Sequence, residues 1–337
     1  MKQIQKTLYV SSNYYFHCQG ECLVCEEKDN KVRVPFCSIE KIIVFGNPII
    51  SSALIRELSS HNISISFVSE YGGFNGSFQG PSIGNVVLRK NQYFLDGTER
   101  EINLVKNILL GKIQNQRKVL IKRAKDSISE IAKNLIQTSN NLTYCINQIL
   151  NSNGIDSIRG WEGKAGQIYF DSFDYMLKTS NPKMMFLTRS KHPAKNNVNA
   201  LLDLFYTILS LDCVSALETF GLDSYFGYLH ELRPGRHSLA CDLMEEFRAL
   251  IVDDFIITLI NRGQVKESDF DNITGKIRLK DTSRKNLLKL WEEHKRQEIY
   301  FRLYKVKTTL LGSIYYQAQL MAQYIRKDIE EYPPFVL

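Results

Sequence analysis

The sequence predicts an α+β protein in which an N-terminal β-sheet unit, residues 1–95, is followed by a larger, mostly α-helical unit, residues 96–337. Three observations carry that prediction. The first 95 residues hold short β-branched or aromatic runs broken by Gly, Asn, Asp and Ser. After Gly84 the apolar residues recur with a helical period, and Ile102, Val105, Ile108, Leu109 and Ile113 fall on one face. With 44% hydrophobic residues in a chain of 337, there is material for a sizeable core.

In chain order, Thr7-Leu8-Tyr9-Val10, Tyr14-Tyr15-Phe16, Leu23-Val24, Val32-Arg33-Val34 and Lys41-Ile42-Ile43-Val44-Phe45 read as strands, with Asp29-Asn30 as a hairpin tip. A helix over about 51–61 precedes a strand over 63–68. Tyr71-Gly72-Gly73 then turns the chain back so that 74–78 pairs. Helical texture runs over 86–150 and continues over 163–177, 198–209, 212–220 and 242–262. A hairpin turns at Asn272-Ile273-Thr274-Gly275. Two last helices are expected over 284–304 and 309–327, and Tyr332-Pro333-Pro334 closes the fold.

Seven cysteines, an odd number, argue against a disulfide framework. Cys18, Cys22, Cys25 and Cys37 lack zinc-knuckle spacing and read as small apolar filler. Met1-Lys2-Gln3-Ile4-Gln5-Lys6 leads straight into a strand-like run instead of a signal-peptide core. No apolar stretch is expected to reach the roughly 18 residues that span a bilayer. The best candidate, over 250–260, is broken by Asp253-Asp254. A cytoplasmic protein with no membrane partner is the expectation.

Chemistry concentrates in three polar clusters set in apolar surroundings: Ile158-Arg159-Gly160-Trp161-Glu162-Gly163, Gly227-Tyr228-Leu229-His230 and Cys241-Asp242-Leu243-Met244-Glu245-Glu246-Phe247-Arg248. They supply Glu162, His230 and Glu245, with Asp242 close by. Two carboxylates and an imidazole suit a hard divalent cation, Mg2+ or Mn2+, the imidazole favouring manganese. Singly each residue has a plainer explanation. Glu162, at an expected helix start, would complement the helix dipole. Asp242 and Glu245 form a capping-box spacing, although Ser238 is an equally good cap. His230 could be a hydrogen-bonded structural residue, and His237 on the same loop is a competing ligand. Together they describe a metal able to polarise a phosphoryl oxygen and activate a hydroxyl, with Arg233, Arg236 and Arg248 near enough to steady phosphate charge.

These residues are also where the chain resembles the CRISPR-associated protein 1 family, the metal-dependent DNA integrase and endonuclease of CRISPR adaptation. The likeness runs essentially end to end. Ile158–Gly163 with Tyr169-Phe170 resembles the family's glutamate motif. Gly227–His230 with Arg233-Pro234-Gly235-Arg236 resembles its histidine motif, and Asp242–Arg248 its acidic helix. Ser82-Ile83-Gly84-Asn85-Val86 and Asn196-Asn197-Val198-Asn199-Ala200-Leu201-Leu202 fit as well, and Tyr332-Pro333-Pro334-Phe335 looks like the I-C subtype. Glutamate stands at position 245 where many members have aspartate. Ala249 and Asn197 stand where proline and aspartate are expected.

The resemblance implies that Glu162, His230 and Glu245 hold the metal and Asp242 supports the catalytic site. It further implies a homodimer through the β unit, assembly with CRISPR-associated protein 2, and joining of 3′-hydroxyl ends of captured DNA into CRISPR repeat DNA. Double-stranded and branched DNA are then the polyanions served by a net charge of +7. Residues 101–150 carry eight Lys or Arg against three acids, and 281–310 eight against four. Arg189, Arg233, Arg236, Arg248, Lys112, Lys289, Lys295 and Arg296 are the candidate phosphate contacts. The rival readings are a non-catalytic DNA-binding scaffold and a general repair or recombination junction nuclease.

Overall fold

The structure is a computed structural model describing residues 6–11, 14–27, 30–81, 86–190, 194–273 and 275–337. The Ser82–Asn85 part of the expected motif, Asp29 at the hairpin tip and Thr274 of the second hairpin lie outside the described residues.

Two four-stranded sheets come first. β1 (Lys6–Ser11), β5 (Ile39–Phe45), β7 (Ser64–Val68) and β8 (Phe74–Phe78) pair in the order β1-β5-β7-β8, parallel except for β8. β2 (Tyr15–Gln19), β3 (Cys22–Glu27), β4 (Asn30–Pro35) and the short β6 (Ile49–Ile50) pair in the order β4-β3-β2-β6. The continuous apolar run of β5 has a cause: the strand is buried on both faces. Ile42 and Val44 point into one core with Phe16, Leu23 and Leu54, while Ile43 and Phe45 point into the helical core. Leu54 and Leu58 belong to α1 (Ser52–Ser60), capped where the Ser51 hydroxyl accepts from Leu54 N at 3.2 Å.

The expected run over 86–150 is three helices: α2 (Val86–Tyr93), α3 (Glu99–Lys125) and α4 (Ser129–Asn151). α5 (Ile155–Asp171) begins a full two turns before the expected start at 163. Gly160, Gly163 and Gly166 lie inside it; the buried spacing of Ile158, Ala165 and Tyr169 holds the helix despite roughly 1 kcal/mol lost per glycine. α6 (Asn197–Thr219) is one helix, not the expected pair, because its polar Asp212 is itself buried. Contrary to expectation, α6 is long and apolar enough by length and composition to cross a membrane, with 78% of its apolar window buried inside the protein. The expected helix over 242–262 is α7 (Ser238–Glu245), a wider π turn (Arg248–Asp253) and α8 (Asp254–Asn261). β9 (Phe270–Ile273) and β10 (Lys276–Leu279) form the expected hairpin. The helix expected over 284–304 is α9 (Asp281–Lys295), and the β11 (Glu298–Phe301) and β12 (Val306–Thr309) hairpin takes up its end before α10 (Leu310–Arg326).

Two buried polar clusters lock these parts together. Asp212 of α6 accepts from Lys41 of β5 and, at 3.2 Å, from Lys295 of α9; Lys295 also meets Glu292 at 2.7 Å. Elsewhere Tyr332 donates to Glu246 at 2.5 Å, Phe335 N donates to the same carboxylate, and Asn115 of α3 donates to the Glu246 and Phe335 carbonyls, each at 2.8 Å.

Candidate active site

A cavity of about 760 Å³ opens where α3, α5, α6, α7 and the π turn meet. α3 contributes Lys112 and Gln116, and α5 contributes Glu162, Gly163 and Gly166. α6 adds Asp203 and Tyr206, α7 adds Glu245, and the π turn adds Arg248 and Asp253. The centre of the wall is a single ammonium. Lys112 Nζ donates to Glu162 Oε1 and lies 2.9 Å from Glu245 Oε2. Arg248 lies 3.0 Å from the other Glu245 oxygen, and His230 Nε2 lies 3.7 Å from it. So Glu162, His230 and Glu245 do converge. Glu162 does so from mid-helix, not from a helix start, because the first turn of α5 is at Ile155.

The electrostatics follow from burial and charge. Burial alone would raise Glu245, but the neighbouring charges of Arg248 and Lys112 override it and hold the carboxyl at about 2. Burial opposes the Lys112 charge as well, yet Glu245 and Glu162 push its pKa above the usual lysine value. Buried charges this close persist only when paired.

Asp242 does not face the cavity ion pair; it orients His230. Its Oδ2 accepts from Tyr228 N at 2.6 Å and Leu229 N at 3.0 Å. Its Oδ1 accepts from His230 N at 3.0 Å and meets His230 Nδ1 at 2.7 Å. A carboxylate can only accept, so Nδ1 carries the proton and the Nε2 lone pair is turned to the Glu245 side. Gly227 makes room for this: a Cβ there would come 2.6 Å from the Ser238 carbonyl carbon and 2.7 Å from Asp242 Oδ2. Ser238 is not the expected cap. The N-cap is His237, without a side-chain bond, and the Ser238 hydroxyl donates to Glu231 O at 3.1 Å. His237, the competing ligand, is engaged by the Ser224 hydroxyl at 2.8 Å and stacked on Tyr225.

The candidate phosphate contacts divide. Arg233 and Arg236 stand at the cavity rim, Arg233 exposed and paired with Glu231 at 2.7 Å. Arg189 lines the cavity clamped to Asp203 at 2.6 Å, and Arg248 lies over the Tyr206 ring. Two assignments are corrected. Lys112 is buried and spent on Glu162 and Glu245, and Lys295 is fully buried on Asp212 and Glu292, so neither ammonium is presented to a DNA backbone. Lys289 and Arg296 are exposed but flank a different groove, between α9 and β1. Tyr304 is packed on Phe301 and Tyr316, and Tyr315 donates to Glu40, so both serve the core.

Among the described residues no group of three His, Cys, Asp or Glu stands as a ready metal array, because the Lys112 ammonium occupies the space between the carboxylates. That ammonium is a stand-in cation. The two carboxylates already hold one positive charge, and the preset Nε2 lone pair adds a third donor of the kind a divalent ion takes. The donor set fits such an ion. Lys112, Gln116, Tyr206 and Asp253 were not singled out as wall residues of the site from sequence. For the first two a signal existed, since both fall on the apolar stripe of α3 among Ile108, Leu109 and Ile113.

The family model described as CRISPR associated protein Cas1 matches residues 8–293. A CRISPR-associated endonuclease Cas1 from Chlorobaculum tepidum is 36% identical over 341 residues, covering 100% of this chain and 99% of the relative. Among solved structures, a casposase bound to integration product is similar at a TM-score of 0.85 with 21% identity, over 98% of this chain and 93% of that one. A Cas6-RT-Cas1--Cas2 complex is similar at 0.83 with 21% identity, over 99% of this chain and 37% of that one.

Proposed function

Because this chain belongs to the Cas1 family of CRISPR-associated proteins, we propose that it is a divalent-metal-dependent DNA endonuclease and integrase. On this reading it joins 3′-hydroxyl ends of captured DNA into the CRISPR repeat array by phosphodiester transesterification, and hydrolyses branched DNA when water attacks instead. The observation that carries the reading is the sharing of one ammonium by Glu162 and Glu245, with His230 beside them.

Glu162, Glu245 and His230 Nε2 would hold the ion. When bound, Mg2+ or Mn2+ supplies Lewis-acid polarisation of a phosphoryl oxygen and a lowered pKa for an attacking hydroxyl. The chain's own residues do the rest. Asp242 fixes the imidazole tautomer, so that Nε2 presents a lone pair instead of a proton. Arg248 and Lys112 keep the Glu245 carboxylate ionised, as a ligand must be. Arg233 and Arg236 at the rim receive the incoming backbone, and Arg189 with Arg248 gives the cavity wall its positive character.

The finer parts of the proposal are assembly as a homodimer through the β-sheet unit, residues 1–95, partnership with CRISPR-associated protein 2, and I-C subtype. The closing Tyr332-Pro333-Pro334-Phe335 supports the subtype, and the Cas1–Cas2 complex of like fold supports the partnership. The test is joining of labelled DNA ends with and without Mn2+. Glu162→Gln and His230→Ala are expected to abolish joining while leaving the melting temperature near the parent's; undiminished joining overturns the assignment. The Lys112 pairing also favours a second reading, a scaffold whose carboxylates are permanently neutralised. That protein would bind DNA but cleave none at any divalent-ion concentration.

A further inference from the structure

Among the described residues three glutamines are buried: Gln92, Gln116 and Gln317. Two of them have obvious structural work. Gln92 donates to the carbonyls of Asp223 and Phe226 and accepts from Asp223 N at 2.9 Å. Gln317 donates to Pro333 O at 2.7 Å. Gln116 has no such partner. Its side chain makes no hydrogen bond among the described residues, although it is only 5% exposed; Oε1 is wholly enclosed, and Nε2 is the end of the amide that is not.

Leaving that oxygen unpaired in a protein interior costs on the order of 1–3 kcal/mol, so the glutamine is kept here for something other than the stability of the fold. Its position shows what the use is. Gln116 sits one turn after Lys112 on the same face of α3 and lines the same cavity as Glu162, Glu245 and Arg248. Three cations of that wall are already matched: Lys112 with Glu162 and Glu245, Arg248 with Glu245, Arg189 with Asp203. With Oε1 enclosed, the Gln116 Nε2 is an uncharged donor without a partner in a cavity also lined by Arg233 and Arg236.

Resting on the proposed function, we infer that Gln116 is a substrate-contacting residue, its Nε2 donating to a non-bridging oxygen of the phosphodiester seated in the cavity. It neither takes nor gives a proton. The bond is made to an oxygen that gains negative charge as the new ester forms, so its loss falls on the rate more than on DNA affinity, which many backbone contacts set.

The experiment uses the full chain with Mn2+ and labelled DNA ends, and compares Gln116→Met, Gln116→Glu and Glu162→Gln with the parent. Gln116→Met is expected to melt at or above the parent temperature, since it removes a buried unpaired group. It should bind DNA within twofold of the parent yet join ends roughly 10- to 100-fold more slowly in single turnover. Gln116→Glu, which keeps the size and the acceptor but loses the donor, should be slowed at least as much. A Gln116→Met variant that joins at the parent rate overturns the inference, and so does one that fails to fold or loses melting temperature together with rate. A Gln116→Glu variant at the parent rate also overturns it. The Glu162→Gln arm separates the two readings. If it alone is inactive, only the Gln116 inference fails; if it joins as fast as the parent, the reading of the whole site fails.

Discussion

Replacing Asp242 with asparagine probes the carboxylate–imidazole pair behind the site. The aspartate receives four donors, two on each oxygen, at 2.6 to 3.0 Å. An asparagine amide offers one oxygen and one NH2, so whichever way it turns, two donors face another donor. At about 1–3 kcal/mol for each buried donor left unpaired, folding weakens by roughly 2–6 kcal/mol. One clash can be relieved if the His230 proton moves from Nδ1 to Nε2. That relief destroys the lone pair presented to the Glu245 side, so both outcomes harm the site. Outer contacts of this kind typically change metal affinity 10- to 100-fold, so Mn2+ binding to the folded variant should weaken by about that factor. Calorimetric Mn2+ titration, checked by thermal melting and paired with end joining, measures it. A variant that binds Mn2+ within twofold of the parent and joins DNA at full rate refutes the reasoning.

Three further outcomes are expected. Asp212→Asn leaves the Lys41 and Lys295 ammonium groups buried without their shared carboxylate, and chemical denaturation should show a loss of about 3–5 kcal/mol, partly recovered by adding Lys41→Met; a loss under 1 kcal/mol counts against the buried lock. Burial raises Asp253 to about 6 from its ordinary 3.8, over the opposing hydrogen bonds from Tyr206 and Tyr169. Its stabilising contribution is therefore complete below about pH 4 and lost as pH rises through 6, about 3 kcal/mol in all; Asp253→Asn should flatten that part of the stability–pH curve, and an unchanged curve rejects the assignment. Lys112→Met removes the resident cation between two carboxylates, so the variant should melt lower without metal and gain more melting temperature from Mn2+ than the parent does; equal Mn2+ shifts show that the ammonium and the ion do not compete.

Much of this was legible in the sequence, for identifiable reasons. The β-rich start and the helical remainder were readable because period-2 and period-3.6 patterns are local. The run Ile42 to Phe45 reported its two-sided burial as unbroken apolarity. Helix limits were misjudged where a residue's ordinary meaning was overridden. Gly160 and Gly163 suggested a start but lie inside α5, and Asp212 suggested a break but is held by two lysines. The convergence of Glu162, His230 and Glu245 was anticipated; the cation between them was not. Lys112 reads as a surface charge until the chain folds, because nothing local tells a lysine that two distant carboxylates will meet it. Lys295 misled for the same reason.

The π turn after α7 has a consequence for how the site can vary. Its bonds skip one residue more than an α-helix allows, so Arg248 and Asp253 both reach the cavity that Glu245 already faces. A turn of this kind behaves like a one-residue insertion in a regular helix. Deleting Leu250 should let it relax to ordinary pitch and rotate Asp253 away while Glu245, upstream, keeps its place. One codon thus works as a dial on which side chains share the chamber, without disturbing the residues that precede it.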